Sequence, residues 1–377
     1  MAETILGGCV FEIRLFRQPF YFMDIKQNLA DFKEKVDREI ELFFDKVIRE
    51  SSKKDVFVTD ALKYARLMVV SGGKRIRPAL MYWGYRGCGG AEEEKIIRAC
   101  VAIELIHVFL LIHDDVIDQD LTRHGVDTMN NHYAKLGKRI FPGSDEAHFG
   151  DSISIIVGDM IGALGNQIIF DSKFSPELIM KALSHLQSVV SLTVIGQSKD
   201  IYMEYKKEAT EKEVLEMYEF KTARYTIEGP LQLGAILGGA SEEILKSINR
   251  FSVPIGIAFQ IQDDILGIFG EEEKIGKSVG ADIKEGKQTI LLVKAKESAS
   301  SAQRKILNSC VGKENLSSED VEMFREVVIK TGSLDYAKSF ADNLIREGIG
   351  ELKKVPISSD ARKFLLGMAE YMMKREV

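Results

Sequence analysis

The sequence predicts an all-α fold. Apolar residues recur at three- and four-residue steps over long stretches, no alternating strand segments bounded by hairpin turns stand out, and only 7 prolines occur in 377 residues. Such periodicity is the primary sequence signal for helices. No low-complexity linker and no solenoid period divides the chain. Residues 24–377 read as one large domain, preceded by an N-terminal extension over residues 1–23.

From Asp24 to Glu50 apolar residues fall at Ile25, Leu29, Phe32, Val36, Ile40, Phe43 and Val47, an amphipathic helix. A second helical stretch runs from Asp60 to Val70 and breaks at Ser71-Gly72-Gly73. Pro78 suits the first turn of the next helix, which stops in Gly87-Cys88-Gly89-Gly90. From Ala91 to Gln119 the pattern is helical almost without interruption, and Glu92, Glu93 and Glu94 favour its start. Residues 120–150 are polar and rich in glycine and read as a long loop region with room for short helices. Helical patterning resumes over Asp151–Phe170 and Pro176–Tyr205, and Thr210 with Glu213 forms a capping box for another helix. Glu242–Phe269 reads as a helix kinked at Pro254. Residues 270–287 form a second charged loop, and several shorter helices complete the chain.

Composition narrows the function classes. At 45% hydrophobic and 29% charged residues the chain can bury a large core. A formal net charge of -6 provides no global basic field for nucleic acid, so any anion-binding surface must be local. Cys9, Cys88, Cys100 and Cys310 lack paired or metal-ligand spacing, which fits a reducing cytoplasm. Residues 1–22 lack the basic start and apolar run of a signal peptide. The apolar run from Val101 to Ile112 contains Glu104 and His107, so no transmembrane segment is expected.

Two stretches match almost in register: Leu111-Ile112-His113-Asp114-Asp115-Val116-Ile117-Asp118 and Gln260-Ile261-Gln262-Asp263-Asp264-Ile265-Leu266-Gly267. Each places an acidic pair in strongly apolar helical sequence. Buried carboxylates need positive partners, and two acidic clusters cannot neutralise each other. If both helices face one cavity they can share divalent cations; Mg2+ would keep waters and bind a substrate's phosphates. Asp114 and Asp118 lie one helical turn apart on one face, with His107 two turns before Asp114. Gln260 and Asp263 likewise share a face.

Basic residues supply the matching anion site. Gly72-Gly73-Lys74-Arg75-Ile76-Arg77-Pro78 is a glycine loop opening a helix, a natural phosphate seat, with Lys74 and Arg77 three apart. Arg123 and His124 follow the first cluster, Lys221-Thr222 sits in a helical stretch, and Lys277, Asp282 and Lys287 punctuate the loop after the second.

This ordered series resembles the trans-prenyl diphosphate synthases, head-to-tail chain-elongating enzymes, over about residues 24–300. The resemblance implies the all-α isoprenoid synthase helical bundle around a central active-site cavity, a homodimer, and three Mg2+ ions. It implies metal binding by Asp114, Asp115 and Asp118 of the first motif, with Asp114 and Asp118 as direct ligands. In the second motif Asp263 would be the ligand and Asp264 its support. The isopentenyl diphosphate pocket would use the Gly73 loop, Lys74, Arg77 and His107. The allylic diphosphate would meet Arg123, Lys221, Lys277 and Lys287, with Thr222 and Gln260 beside the developing allylic cation.

Three positions depart from the family pattern. His124 replaces a second arginine, Gly267 replaces a third aspartate, and residues 138–150 form a lengthened connection. Phe109, five before Asp114, resembles the bulky tunnel floor of geranylgeranyl-forming relatives, although an ideal helical wheel places Leu110 nearer the aspartate face. The expected product is geranylgeranyl diphosphate, with a farnesyl or longer product as the alternative. A His/Asp metal phosphohydrolase built on His107, His113 and Asp114 would leave the second acidic cluster unexplained. A non-catalytic subunit of a heteromeric synthase should lack one or both acidic motifs.

Overall fold

The computed structural model describes residues 24–270 and 279–373. Asp24 caps helix α1 (Ile25–Ser51) by accepting from the Gln27 amide, and the helix buries Ile25, Leu29, Phe32, Val36, Ile40 and Phe44. Helices α2 (Val56–Val70) and α3 (Ile76–Gly87) lead to α4 (Glu93–Ile117), which is buried nearly all round. Its apolar girdle is explained by its neighbours: α1, α2, α3, and two helices that follow it all pack on it.

Residues 120–150 are more regular than the sequence predicted. A two-residue antiparallel ladder, β1 (Thr122–Arg123) with β2 (Val126–Asp127), is turned by His124 and Gly125. Both turn residues have positive φ, 51° and 80°, the requirement of a tight hairpin turn matched to strand twist. Then come α5 (Met129–Ile140) and α6 (Glu146–Phe170), the latter beginning ahead of the expected Asp151. Polar residues around Met129 and Tyr133 hid α5 from a reading based on apolar runs.

Helix α7 (Pro176–Lys206) precedes a rod made of α8 (Glu211–Tyr218), a π-helical segment (Glu219–Glu228) and α9 (Gly229–Leu237). In the π-helical segment Arg224 pairs with Glu219 five residues earlier, one wide turn away, and the Gly229 amide bonds to the Arg224 carbonyl. Pro230, lacking an amide hydrogen, sits just inside α9. Gly196 of α7 lies so close to this segment that a Cβ there would meet the Lys221 amide nitrogen at 2.4 Å. On the other side a Cβ at Gly256 would meet the Ala223 Cα at 2.4 Å. Two glycines thus let α7 and the next helix clamp the segment that carries Lys221 and Thr222.

That next helix, α10 (Glu242–Phe269), contains Pro254 and is followed by α11 (Ala281–Glu285), α12 (Ile290–Ser298), α13 (Ser301–Cys310), α14 (Ser318–Lys330), α15 (Ser333–Leu352) and α16 (Ser359–Met373). Buried side chains from α1 to α16 form one contiguous apolar cluster. The two acidic clusters occupy the C-terminal ends of α4 and α10, where the helix macrodipole is negative and carboxylates require added positive charge.

Helices α4, α6 and α7 are long and apolar enough to cross a membrane by length and composition alone. In α4 Glu104 nevertheless lies in the middle of the apolar stretch. Helix α4 buries most of its window inside the protein, whereas α6 and α7 bury less than half of theirs.

Candidate active site

The glycine loop before α3 is held by a residue the sequence reading did not single out. Arg75, in the left-handed region at φ 53°, is buried and fully engaged. Its guanidinium donates to Asp37 Oδ1 at 2.7 Å, Glu104 Oε1 at 2.5 Å and the Val69 carbonyl at 2.8 Å. With Gly73 at φ 86°, this anchoring leaves Lys74 exposed, its ammonium 5.3 Å from the Tyr371 ring centroid. Arg77 turns towards α4 and the π-helical segment. It reaches His107 Nε2 at 3.1 Å, donates to Thr226 Oγ1 at 2.9 Å, and lies 4.6 Å from the Tyr225 ring centroid. Its buried Nε–H has no protein partner.

These contacts fix the His107 tautomer. Arginine only donates, so Nε2 accepts and the neutral ring carries its hydrogen on Nδ1, which donates to Tyr225 Oη across 2.7 Å. Burial, reinforced by Arg77 and Arg123, holds the imidazole well below its usual range. The hairpin packs on the same loop: a Cβ at Gly72 would meet the His124 ring at 2.3 Å. Gly73, Lys74, Arg77, His107 and His124 are therefore brought together.

In the first acidic cluster the carboxylates separate by role. Asp114 Oδ1 accepts from Gln197 of α7 at 3.0 Å. Asp118 is pushed up to about 6 by burial and by neighbouring Asp114. Asp115, counted with the metal ligands from sequence, instead faces inwards. It is fully buried and accepts from Arg123 Nε at 2.6 Å and Nη2 at 2.5 Å. Arg123 is also paired with Asp120 at 3.1 Å. Asp115 thus positions Arg123, whose charge is favoured by that partner against the opposing effect of burial.

Asp264 is likewise spent internally. It accepts from the Tyr218 hydroxyl and from Gln260 Nε2, the latter at 2.8 Å. Tyr218 in turn accepts from the Ile290 amide at 2.9 Å. With its amide nitrogen committed to Asp264, Gln260 presents its carbonyl to Thr222, whose hydroxyl donates across 2.6 Å. Asp263, next on the helix, is partly exposed and is the member of this pair left at the surface of the cleft. Lys221 donates to Asp200 of α7 at 2.6 Å; burial opposes its charge, while Asp200 and Asp114 favour it.

Lys287 joins the two halves. Its ammonium lies 3.7 Å from Asp118 Oδ2 and 3.8 Å from Asp282 Oδ1, and also pairs with Glu285. The strand of chain carrying Asp282 is tied to the second cluster, since the Gly280 amide donates to the Gly267 carbonyl at 3.0 Å. One lysine therefore touches the first cluster and a carboxylate docked on the second. Lys277 and the extension over 1–23 lie outside the described residues.

The donor set is entirely carboxylate oxygen at the metal positions, the hard-ligand chemistry that suits Mg2+. Among the described residues no three such side chains form a ready-made cation cage. One or two carboxylates per ion, completed by water and phosphate oxygens, is the mode Mg2+ favours. Arg77, Lys74, Lys221 and Lys287 are the cationic side chains that could supply positive charge for such phosphates.

His113 points elsewhere, to the Ile155 carbonyl at 3.2 Å and Asp159 at 3.7 Å on α6. His107, His113 and Asp114 face three different neighbours, so they do not form a phosphohydrolase centre. Phe109 also faces α6: a Cβ at Gly162 would lie 3.2 Å from its ring, and the His113 ring stands edge-on at 4.9 Å. Leu110 is partly buried against the core. Asp200, Gln197, Tyr218 and Tyr225 were missed by the sequence reading; as single polar residues within otherwise helical patterns they carried no spacing signal.

Comparison with known proteins agrees with this architecture. The sequence model of a family described as polyprenyl synthetase matches residues 59–328. A geranylgeranyl diphosphate synthase of Saccharolobus solfataricus is 31% identical over 311 residues, spanning 82% of this chain and 88% of that protein. A geranylfarnesyl diphosphate synthase of Aeropyrum pernix is 32% identical, over 84% of this chain and 95% of that protein. The crystal structure of a geranylgeranyl pyrophosphate synthase from Corynebacterium glutamicum, complexed with isoprenyl diphosphate and magnesium, superposes with a TM-score of 0.87. It is 31% identical and covers 94% of this chain and 100% of that one.

Proposed function

The chain belongs to the polyprenyl synthetase family and is a prenyltransferase, and from that membership we propose that it makes geranylgeranyl diphosphate. It joins isopentenyl diphosphate head to tail to an allylic prenyl diphosphate, releasing pyrophosphate. The observation that carries this reading is Lys287, whose ammonium lies between Asp118 and Asp282 and so ties the first acidic cluster to the segment docked on the second. The C20 product is supported by the geranylgeranyl relatives, with the geranylfarnesyl relative as the specific reason to test longer products.

Asp114, Asp118 and Asp263 would hold Mg2+, and the resemblance implies three ions. When bound, Mg2+ supplies electrostatic stabilisation of the departing pyrophosphate. Lys221 and Lys287 add charge to the same leaving group, and Arg123 does so from its Asp115 support. Lys277 belongs to this set by sequence. Lys74, Arg77 and His107 would seat isopentenyl diphosphate, and the Arg77 Nε–H, buried without a protein partner, is available to such an anion. As the allylic C–O bond breaks, the lone pairs of Thr222 Oγ1 and Gln260 Oε1 face the positive carbon. The isopentenyl double bond forms the new C–C bond, and a proton leaves to the released pyrophosphate. Apolar residues of α4 and α10 keep water from quenching the cation.

One catalytic domain over residues 24–377 is supported by the contiguous apolar cluster. A homodimer is supported by α6 and α7, which leave Ile155, Ile156, Val194 and Ile195 exposed; Ile156 is 64% and Val194 51% accessible. A cytoplasmic location is supported by the free cysteines Cys88, Cys100 and Cys310. Incubation with labelled isopentenyl diphosphate and each of the C5, C10 and C15 allylic primers, followed by chromatography, tests the function. A C20 product supports it; no incorporation, or phosphate release alone, refutes it.

A further inference from the structure

Between α7, α9 and the first half of α10 lies an open cleft of about 1120 Å3, the size of a small-molecule site. None of the residues lining it belongs to the acidic motifs or to the diphosphate-binding set. Four elements supply its inner wall, and each leaves an acceptor there. Gln232 of α9 is 8% exposed, and its two amide hydrogens go to Glu228 Oε1 at 3.1 Å and the Leu245 carbonyl at 2.9 Å. Its Oε1 is therefore buried with no donor among the described residues. Asn249 of α10 donates to the same Glu228 oxygen at 2.7 Å, and its Oδ1 accepts from no described residue. His185 Nε2 of α7 lies 3.2 Å from the Gly229 carbonyl. A carbonyl only accepts, so Nε2 carries the hydrogen; burial holds the imidazole below its usual range, and Nδ1 presents a lone pair. Glu228, the last residue of the π-helical segment, shares Arg224 with Glu219, which leaves two carboxylates on one guanidinium.

We propose that this cleft is a second ligand site, taking a primary ammonium group on a small aliphatic body. An ammonium has three donors and no acceptor, the complement of Gln232 Oε1, Asn249 Oδ1 and His185 Nδ1. Its charge offsets the carboxylate that Arg224 leaves uncompensated, and its donors relieve the cost of a buried acceptor without a partner. Leu178, Ile236 and Leu245 line the same cleft and supply apolar surface for the aliphatic part. At the rim Lys181 is paired with Glu177 at 2.9 Å and Arg250 with Glu351 at 3.3 Å, while Lys246 has no ion pair among the described residues. An aliphatic amine and a free aliphatic amino acid share the required chemistry; only the second brings a carboxylate for Lys246. Because Glu228 ends the segment that carries Lys221 and Thr222, the site adjoins the catalytic helix without entering the active site.

The inference does not depend on the prenyl-transfer reading. Its test is calorimetric titration of the full chain with L-leucine, with isoamylamine, which lacks the carboxylate, and with isocaproate, which lacks the ammonium. Isoamylamine, L-leucine or both should bind and isocaproate should not, and saturating Mg2+ with pyrophosphate should leave that binding in place. Gln232→Leu and His185→Phe should each weaken it about tenfold or more. Lys246→Ala identifies the source: a loss for L-leucine alone marks an amino acid, and no loss marks an amine. Should either wall variant fail to fold, the 15N resonance of His185 Nδ1 in the unaltered protein decides, since it must move on titration. The assignment is overturned if neither ammonium compound binds, because the cleft then holds water only. It is equally overturned if isocaproate binds as well as they do, if pyrophosphate displaces them, or if His185→Phe keeps full affinity.

Discussion

Thr222 donates its hydroxyl hydrogen to the side-chain carbonyl of Gln260 across 2.6 Å, joining the π-helical segment to α10. The Gln260 amide nitrogen is committed to Asp264, so the carbonyl orientation is imposed by the network and not by solvent. Under the proposed mechanism the remaining lone pairs of these two oxygens are what the developing cation would meet.

Thr222→Val keeps the shape and removes the hydroxyl. The expected effect is a fall in kcat of about tenfold to a hundredfold with little change in KM for isopentenyl diphosphate. Steady-state kinetics at saturating Mg2+ check this. A pure rise in KM would place Thr222 in substrate binding and not beside the developing cation.

His107 gives the protein a pH-dependent stability of predictable sign. Unfolded, its imidazole takes a proton near its model value of 6.5; folded, burial and Arg77 keep it neutral until well below that. Below 6.5 the unfolded chain binds more protons, so this contribution to stability is present at neutral pH and lost as pH falls. Asp115 and Asp118, each raised from 3.8 to about 6, act in the opposite sense between those values. The difference between unaltered protein and His107→Gln isolates the histidine. The drop in Tm between pH 7 and pH 5.5 should be smaller in the variant, as thermal melts without ligand will show.

Arg75 and Glu104 form a buried ion pair whose loss should be felt in folding before it is felt in chemistry. Arg75→Ala strands Glu104 without its charge partner and frees the glycine loop, at a cost of about 3–5 kcal/mol. Urea denaturation reads this directly. Arg75→Met/Glu104→Gln should recover much of the loss, because removing both charges removes the uncompensated one.

Much of the fold was legible from the chain because its helices bury continuous apolar stripes. Ile25, Leu29, Phe32, Val36 and Ile40 all lie in the core, as their spacing indicates. The acidic clusters were legible for the same reason, since charge inside an apolar helix is conspicuous. Helix α5 was not, because its buried face rests on Met129, Tyr133 and Gly137 among polar neighbours. The inward turn of Asp115 and Asp264 was hidden too: adjacent aspartates look alike in sequence, and only Arg123, Tyr218 and Gln260 decide which one is buried. Asp200 could be paired with Lys221 only after two helices had crossed at Gly196.

Phe109 is where the chain-length question becomes structural. Its ring rests against Gly162 of α6 and edge-on to His113, so its position depends on an opposing residue without a side chain. Phe109→Ser removes the ring from a half-buried position and opens volume between α4 and α6. Chain elongation should then continue past C20, and chromatography of products formed from farnesyl diphosphate should show C25 and longer species. Leu110→Ala, roughly 100° further round the helix, provides the contrast: if Phe109 is the floor, that change alters the product length less. An unchanged distribution in Phe109→Ser, or a larger change in Leu110→Ala, would move the floor away from Phe109.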